Sequence, residues 1–565
     1  MAIKKYTASL DTTIVNAFHP NLRTRGTGAN MGAADVTEVF SVYARQSTGS
    51  QELSRILIQF PVTTIETDRT AGTIPASGSV SFYLKLYNAE HSKTVPTDYT
   101  LSILGVSQSW QEGTGLDLDQ YKDETEGNVG ANWMSASSTT FWTDKSNNLL
   151  AGGSFLTGGS TTETFLFTQD FSSGIEDLEV DITPLVEQWI GDVYTNYGVG
   201  IKLSASYEAY QNISSLDGKP TGYASASIIQ NPSGSTTSYY TKRFFARGTQ
   251  YFFKRPSIEA RWNDATKDDR GNFYYSSSLA PAADNLNTIY LYNYVRGSLK
   301  EIPGLGAAKR LYVSIYSGSV GGFYGDQGGG DGDDIAPSNY PVSGATSANT
   351  GSVQILSIDN SSHVGSNNKL VITGGIVATG IYSASFAFTG SELLKTVYDV
   401  WFTGGAGTTS ANDASTQYFT GAIKPTTLRA TNTVAKPSYY LNITNLKGKY
   451  RADETARFNL YVRNKNWSPT IYTVANETPA GTTIVSASYR VFRTLDAYDA
   501  IPYGTGSDLH TQLSYDVSGN YFDMEMDLLE PGYTYGFKFA FYDAELSSWT
   551  EQPEVFKFRV EDYEY

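Results

Sequence analysis

Short runs of strictly alternating apolar and polar residues recur along the whole chain, and a side-chain period of two marks strands with one buried face. Arg55-Ile56-Leu57-Ile58-Gln59-Phe60 sets Ile56, Ile58 and Phe60 on one side, and Pro61 ends the run. Val80, Phe82, Leu84 and Leu86 repeat the pattern, as do Thr288–Val295, Arg310–Tyr316, Gly380–Phe388, Thr396–Phe402, Arg457–Arg463 and Tyr489–Arg493. Only Asp181–Ile190 breaks it: Pro184 suits a first helical turn, and Leu185, Trp189 and Ile190 share a helical face. Charged residues are 17% of the chain, too few for a coiled-coil or long-helix rod, while 53 Gly and 13% aromatics fit strands joined by turns. The fold class expected is all-β.

At about 150 residues per domain, 565 residues predict three or four domains. The runs divide into three β-sandwich domains in series: 1–269, then a polar linker at 270–287, then 288–435 with a Gly/Asp-rich insertion at 321–350, then 436–565.

The order of motifs in the first segment carries a resemblance. Arg55–Phe60 comes first, then a long apolar strand, then Ser109-Trp110-Gln111-Glu112-Gly113 and Gly130-Ala131-Asn132-Trp133. VDITPLVEQWI (180–190) and NYGVGIKLS (196–204) follow, and the segment closes on Thr241–Arg247 and Lys254–Trp262. This set resembles the DNRLRE-type domain, a jelly-roll β-sandwich akin to carbohydrate-binding modules. The acidic residue that the family carries after its closing Arg is Gly248 here. The resemblance implies a fold more than an activity.

In the last segment, Leu529-Glu530-Pro531-Gly532-Tyr533-Thr534-Tyr535 has the spacing L-x-P-G-x-x-Y and is similar to the tyrosine corner of Ig-like and fibronectin type III sandwiches. The resemblance makes Tyr535 the corner residue, set up by Pro531 and Gly532, with a structural role.

Catalytic chemistry is hard to build from this chain. Zero Cys excludes disulfides, a thiolate zinc site and a cysteine nucleophile. The four His (His19, His91, His363 and His510) lie in polar, loop-like stretches and are read as surface residues. Neither a G-x-S-x-G elbow nor a phosphate-binding P-loop occurs. Asp117, Asp119, Asp123, Glu124 and Glu126 would supply paired carboxylates for sugar hydrolysis, but they read first as a solvated acidic loop. Asp326, Asp331, Asp333 and Asp334 offer hard oxygen ligands for Ca²⁺ on a Gly-rich backbone without full EF-hand spacing. No other cofactor is expected. Trp133, Trp142, Tyr239 and Tyr240 lie in loop-like stretches where an aromatic ring could contact a glycan.

The net charge of −16 argues against nucleic acid and anionic membrane as partners. No run of 18 apolar residues occurs, and no apolar core follows Lys4-Lys5, so neither membrane insertion nor a secretory signal is expected. The stretch 265–297, ATKDDRGNFYYSSSLAPAADNLNTIYLYNYVRG, is similar to virion structural proteins of marine tailed phages, of the cyanophage kind. That resemblance implies a non-enzymatic virion component in the tail, baseplate, neck or attached to the capsid. It would be assembled in a host cytoplasm, as a homo-oligomer and against other virion proteins. A carbohydrate-binding adhesin engaging host surface glycan and a polysaccharide depolymerase are the other readings.

Overall fold

The computed structural model describes residues 2–19, 26–42, 52–91, 95–116, 129–156, 165–209, 234–277, 279–281, 284–305, 310–317, 354–356, 372–389, 396–403, 416–426, 438–468, 470–471, 481–543 and 547–562. The chain is all-β, with β-sandwich units in series.

The first unit contains β1 (Ile3–Thr7), β2 (Leu10–Asn16), β3 (Val36–Val42), β4 (Glu52–Gln59), β5 (Val80–Leu86), β6 (Tyr99–Gly105), β7 (Leu166–Phe171), β8 (Leu178–Asp181), β9 (Val199–Leu203), β10 (Tyr239–Phe245) and β11 (Ser257–Trp262). One sheet runs β1-β11-β5-β8; the other runs β10-β3-β4-β9-β6-β7, with β2 also on β4. Their facing sides hold Ile56, Ile58, Phe82, Leu84, Leu101, Ile103 and Ile201, all fully buried. Two short helices close the ends. α2 (Thr183–Ile190) sits where the Pro184 pattern places it, while α1 (Val62–Thr70), directly after Pro61, has no apolar periodicity to announce it. The Arg69 guanidinium of α1 joins it to α2 through both Glu187 carboxylate oxygens, at 2.7 and 2.6 Å.

β4 is buried on both faces. Its second face carries Leu53, Arg55 and Leu57, and residues of 106–116 and 129–151 fold over it as a further core with Trp110, Trp133 and Trp142. Trp133 and Trp142 are therefore 0% exposed and cannot meet a glycan. Both lie in loop stretches, as expected, but these loops are packed down onto the sheet, because Leu53 and Leu57 need cover and large rings give the most buried area per residue. Arg55 lies in the same layer, bonded to Glu208 at 2.9 and 3.1 Å and to the Gly152 carbonyl at 2.7 Å, its guanidinium 5.2 Å from the Trp133 ring centre.

The second unit contains β12 (Asn287–Tyr292), the short hairpin β13 (Tyr294–Val295) and β14 (Ser298–Leu299), then β15 (Leu311–Ser317), β16 (Gln354–Leu356), β17 (Ile372–Ala378), β18 (Ile381–Thr389), β19 (Val397–Thr403) and β20 (Thr416–Ile423). Its main sheet runs β12-β18-β17-β15-β19-β20, with β16 also on β18. The insertion at 321–350 lies outside the described residues.

Segment 270–287 is not a free linker. Phe273 is 0% exposed and packs 5.7 and 5.4 Å from Phe386 and Phe388. Arg270 reaches the fully buried Asp399 at 2.5 and 2.6 Å, and Asn287 bonds Tyr274 through its side chain at 3.0 and 2.9 Å. The stretch looks loose in sequence because its buried residues are too few and too irregularly spaced to form a period.

The third unit contains β21 (Tyr439–Ile443), β22 (Lys449–Arg451), β23 (Thr455–Asn464), β24 (Ala487–Arg493), β25 (Asp499–Ile501), β26 (Ser514–Asp516), β27 (Gly519–Glu525), β28 (Thr534–Asp543), β29 (Ser548–Glu551) and β30 (Phe556–Glu561). Its sheets, β21-β23-β27-β26 and β22-β30-β28-β24-β25, show the Ig-like order, with β22 parallel to β30 and β29 added on β28. Phe458, Phe522, Phe537 and Phe558 form its core, with ring centres 4.6–6.3 Å apart where they touch.

The Tyr535 hydroxyl donates to the Glu530 carbonyl at 3.0 Å, across a turn through Pro531 and Gly532, whose φ is +90°. Tyr535→Phe keeps the ring and orphans that carbonyl. It should cost about 1–3 kcal/mol, read as a lower melting temperature for the third unit; an unchanged melt would remove the corner's structural role.

Candidate functional site: an interdomain cavity and its charged rim

The three units are interlocked. Ile3, at the start of the chain, packs in the third unit's core. Residues 264–269 run along β26: Thr266 N–H donates to Ser514 Oγ at 2.9 Å, Tyr515 N–H to the Thr266 carbonyl at 2.9 Å, and Asp268 N–H to the Tyr515 carbonyl at 3.0 Å. Asp269 then ties two units, accepting from the Tyr515 hydroxyl at 2.6 Å and from Thr288 N–H at 2.7 Å.

Where the units meet lies a cavity of about 440 Å³. The first unit contributes Thr73 and Trp262, the second Tyr292, Tyr294 and Ile381, and the third Arg457, Tyr489, His510, Gln512 and Tyr521. Four of these side chains carry a buried polar atom with no hydrogen-bond partner: Tyr292 Oη, Tyr489 Oη, His510 Nε2 and Gln512 Oε1. Burial holds the Tyr489 hydroxyl far above its ordinary pKa, so it stays protonated. Arg457 is occupied, its guanidinium forked onto Asp523 at 2.7 and 2.8 Å.

His510 is 2% exposed rather than on the surface, and its Nδ1 lies 2.7 Å from Asp508 Oδ1. The loop that seats it is tight. A Cβ on Gly504 would fall 2.2 Å from the Asp508 carbonyl oxygen, so only glycine fits there. His91 is half-buried, and its pKa is pushed down to about 4 by burial and by the Arg243 and Lys242 charges. His363 lies outside the described residues.

Beside the cavity, charges from the first unit converge on the third. Arg261, 5% exposed, pairs with Glu179 at 2.8 Å and Glu259 at 2.7 Å, stacks 4.3 Å from the Tyr83 ring centre and reaches within 4.0 Å of Asp508. Lys85 pairs with Glu179, and Lys5 lies 3.5 Å from Glu259. Burial opposes the Glu179 charge, but Lys85 and Arg261 outweigh it and hold its pKa at about 2. The Tyr498 hydroxyl adds a second tie, 3.2 Å from Asp177.

The two motifs of the first-unit resemblance also meet. Arg247 forks onto Glu112 at 2.8–3.1 Å, and Trp110 Nε1 donates to the Tyr197 carbonyl at 2.8 Å. Gly113, φ +81°, lets this turn close on Asn30. Asp11, 2% exposed, accepts from Arg247 N–H at 2.5 Å. Burial lifts its pKa to about 7, with Glu112 adding to the rise and Arg247 opposing it. A carboxyl whose folded pKa lies above its unfolded value of 3.8 favours the fold below about pH 4, and that contribution is lost as pH rises through about 7. Asp11→Asn keeps the acceptor and removes the charge. It should stabilise the first unit above that range by about 1–3 kcal/mol and flatten its melting profile between; an unaltered profile would contradict this.

Of the residues singled out in sequence, Tyr239 is 64% exposed and stacks on Tyr240 with centres 4.7 Å apart, leaving one surface aromatic pair on β10. Asp326, Asp331, Asp333 and Asp334, and the acidic residues Asp117, Asp119, Asp123, Glu124 and Glu126, lie outside the described residues. Among the described residues no three His, Asp or Glu cluster to hold a metal, and no helix is long and apolar enough to cross a membrane. The cavity itself had no signal in sequence, because its walls come from positions up to about 450 residues apart along the chain.

No protein-family model matches this chain, and no curated protein does. Among solved structures, a crystal structure of a DUF4785 family protein from Legionella pneumophila aligns at 8% identity over 98% of this chain and 92% of that one. The TM-score is 0.13.

Proposed function

We propose that this chain is a non-enzymatic structural component of a virion, assembled through its β surfaces against neighbouring subunits. The observation that carries the reading is the interlock: backbone hydrogen bonds between residues 266–268 and Tyr515, the approach of Arg261 to Asp508 and the Tyr498–Asp177 contact join the first and third units, giving a block suited to bearing load. Its outer surface keeps exposed aromatics, with Tyr542 and Trp549 paired 5.5 Å apart on β28 and β29 and Tyr440 50% exposed on the edge strand β21. Such rings supply contact area at small entropic cost, and uncovered strand edges invite a partner. Copies of this chain and other virion proteins would provide that cover. The test is mass spectrometry of gradient-purified particles from the encoding phage. A fixed stoichiometry of this chain is expected; its absence from particles would overturn the reading.

A further inference from the structure

We infer that the cavity between the three units is a binding site for a neutral, polyhydroxylated ring, the chemistry of a sugar. This is independent of the assembly reading. The volume of about 440 Å³ falls within the range of small-molecule sites, roughly 300–1,000 Å³.

The wall chemistry narrows the ligand. Trp262, Tyr292, Tyr521 and Phe522 supply aromatic surface, which suits the C–H faces of a sugar ring. The unpartnered atoms form a mixed set: Gln512 Oε1 accepts, the Tyr292 and Tyr489 hydroxyls donate or accept, and His510 Nε2 does either according to its tautomer. Hydroxyl groups do both, so a polyhydroxylated ring matches this mixed set. A carbonyl-only or ammonium-only ligand cannot.

Charge argues against ionic ligands. The Arg457 cation is bound by Asp523, and the other acidic side chain in the wall is Asp264. An anion would find the Arg457 cation of this wall already taken by Asp523. A metal ion would lack a cluster of three ligating side chains among the described residues. Tyr489 and His510 are 1% and 2% exposed, so close packing holds both side chains in the cavity wall.

The experiment uses the full chain. Saturation-transfer NMR and calorimetry are run with glucose, galactose, N-acetylglucosamine and their disaccharides, beside glucose 6-phosphate and glucuronate. At least one neutral sugar should bind, with the charged analogues tenfold weaker or more. Gln512→Ala should weaken binding at least tenfold, Gln512→Glu should retain part of it, and Tyr251→Ala, at a 48% exposed position on the first unit's surface, should leave it unchanged. In the unmutated chain the bound sugar should shift the His510 ring resonances, a readout that needs no variant to fold. Absence of binding by every neutral sugar, equal binding of the charged analogues, or binding that leaves His510 unmoved would each overturn the proposal.

Discussion

Arg261→Ala should destabilise the protein by about 3–5 kcal/mol, because it strips the cation from buried carboxylates. Arg261 is 5% exposed and Glu259 6% exposed, and the guanidinium serves both Glu259 and Glu179 while lying against Tyr83. Without it, Lys5 and Lys85 are the cations left in the cluster, and Lys5 is 3.5 Å from Glu259. The loss should appear in thermal melts of the first and third units together, since Arg261 also approaches Asp508 of the third. Arg261→Lys keeps the charge but not the fork and should fall between. The acid limb carries a second signature. Glu179 has a folded pKa of about 2 against 4.5 unfolded, so its contribution is present above about pH 4.5 and is lost as pH falls toward 2. Removing Arg261 should shrink that acid-dependent part. A melt within error of the wild type would show that the cluster does not hold the units.

Arg270→Ala should cost a similar amount, about 3–5 kcal/mol, for a related reason at another place. Asp399 is fully buried and accepts from Arg270 through both oxygens, with Trp401 Nε1 as a further donor at 2.7 Å. Removing Arg270 leaves a buried carboxylate with one of those donors. Asp399→Asn, which removes the charge as well, should recover part of the loss when combined with Arg270→Ala. The effect should fall on the second unit and on amide protection across 264–275. Unchanged protection there would mean that this segment is held by its backbone bonds to β26 alone.

What could be read in the sequence was what local spacing controls. Period-two runs such as Val80–Leu86 specify a strand and its inner face without reference to anything distant, and the observed burial alternates along them. L-x-P-G-x-x-Y carries its own mechanism, since the hydroxyl of Tyr535 and the carbonyl it meets are five residues apart. Trp133 and Trp142 were misread because their burial depends on whether the far face of β4 is bare, and only the assembled sheet decides that. His510 was misread for a similar reason: its neighbours in sequence are polar, but the first unit covers it from about 250 residues away, through Arg261 and Trp262. The cavity and its charged rim belong to this second kind of feature.

The interlock of the first and third units is most directly tested by differential scanning calorimetry of the intact chain near neutral pH. The structure predicts that these two units unfold in one coupled transition, and that Arg261→Ala splits it into two. Separate transitions for the first and third units in the unaltered chain would contradict the interlock and, with it, the block on which the structural role rests.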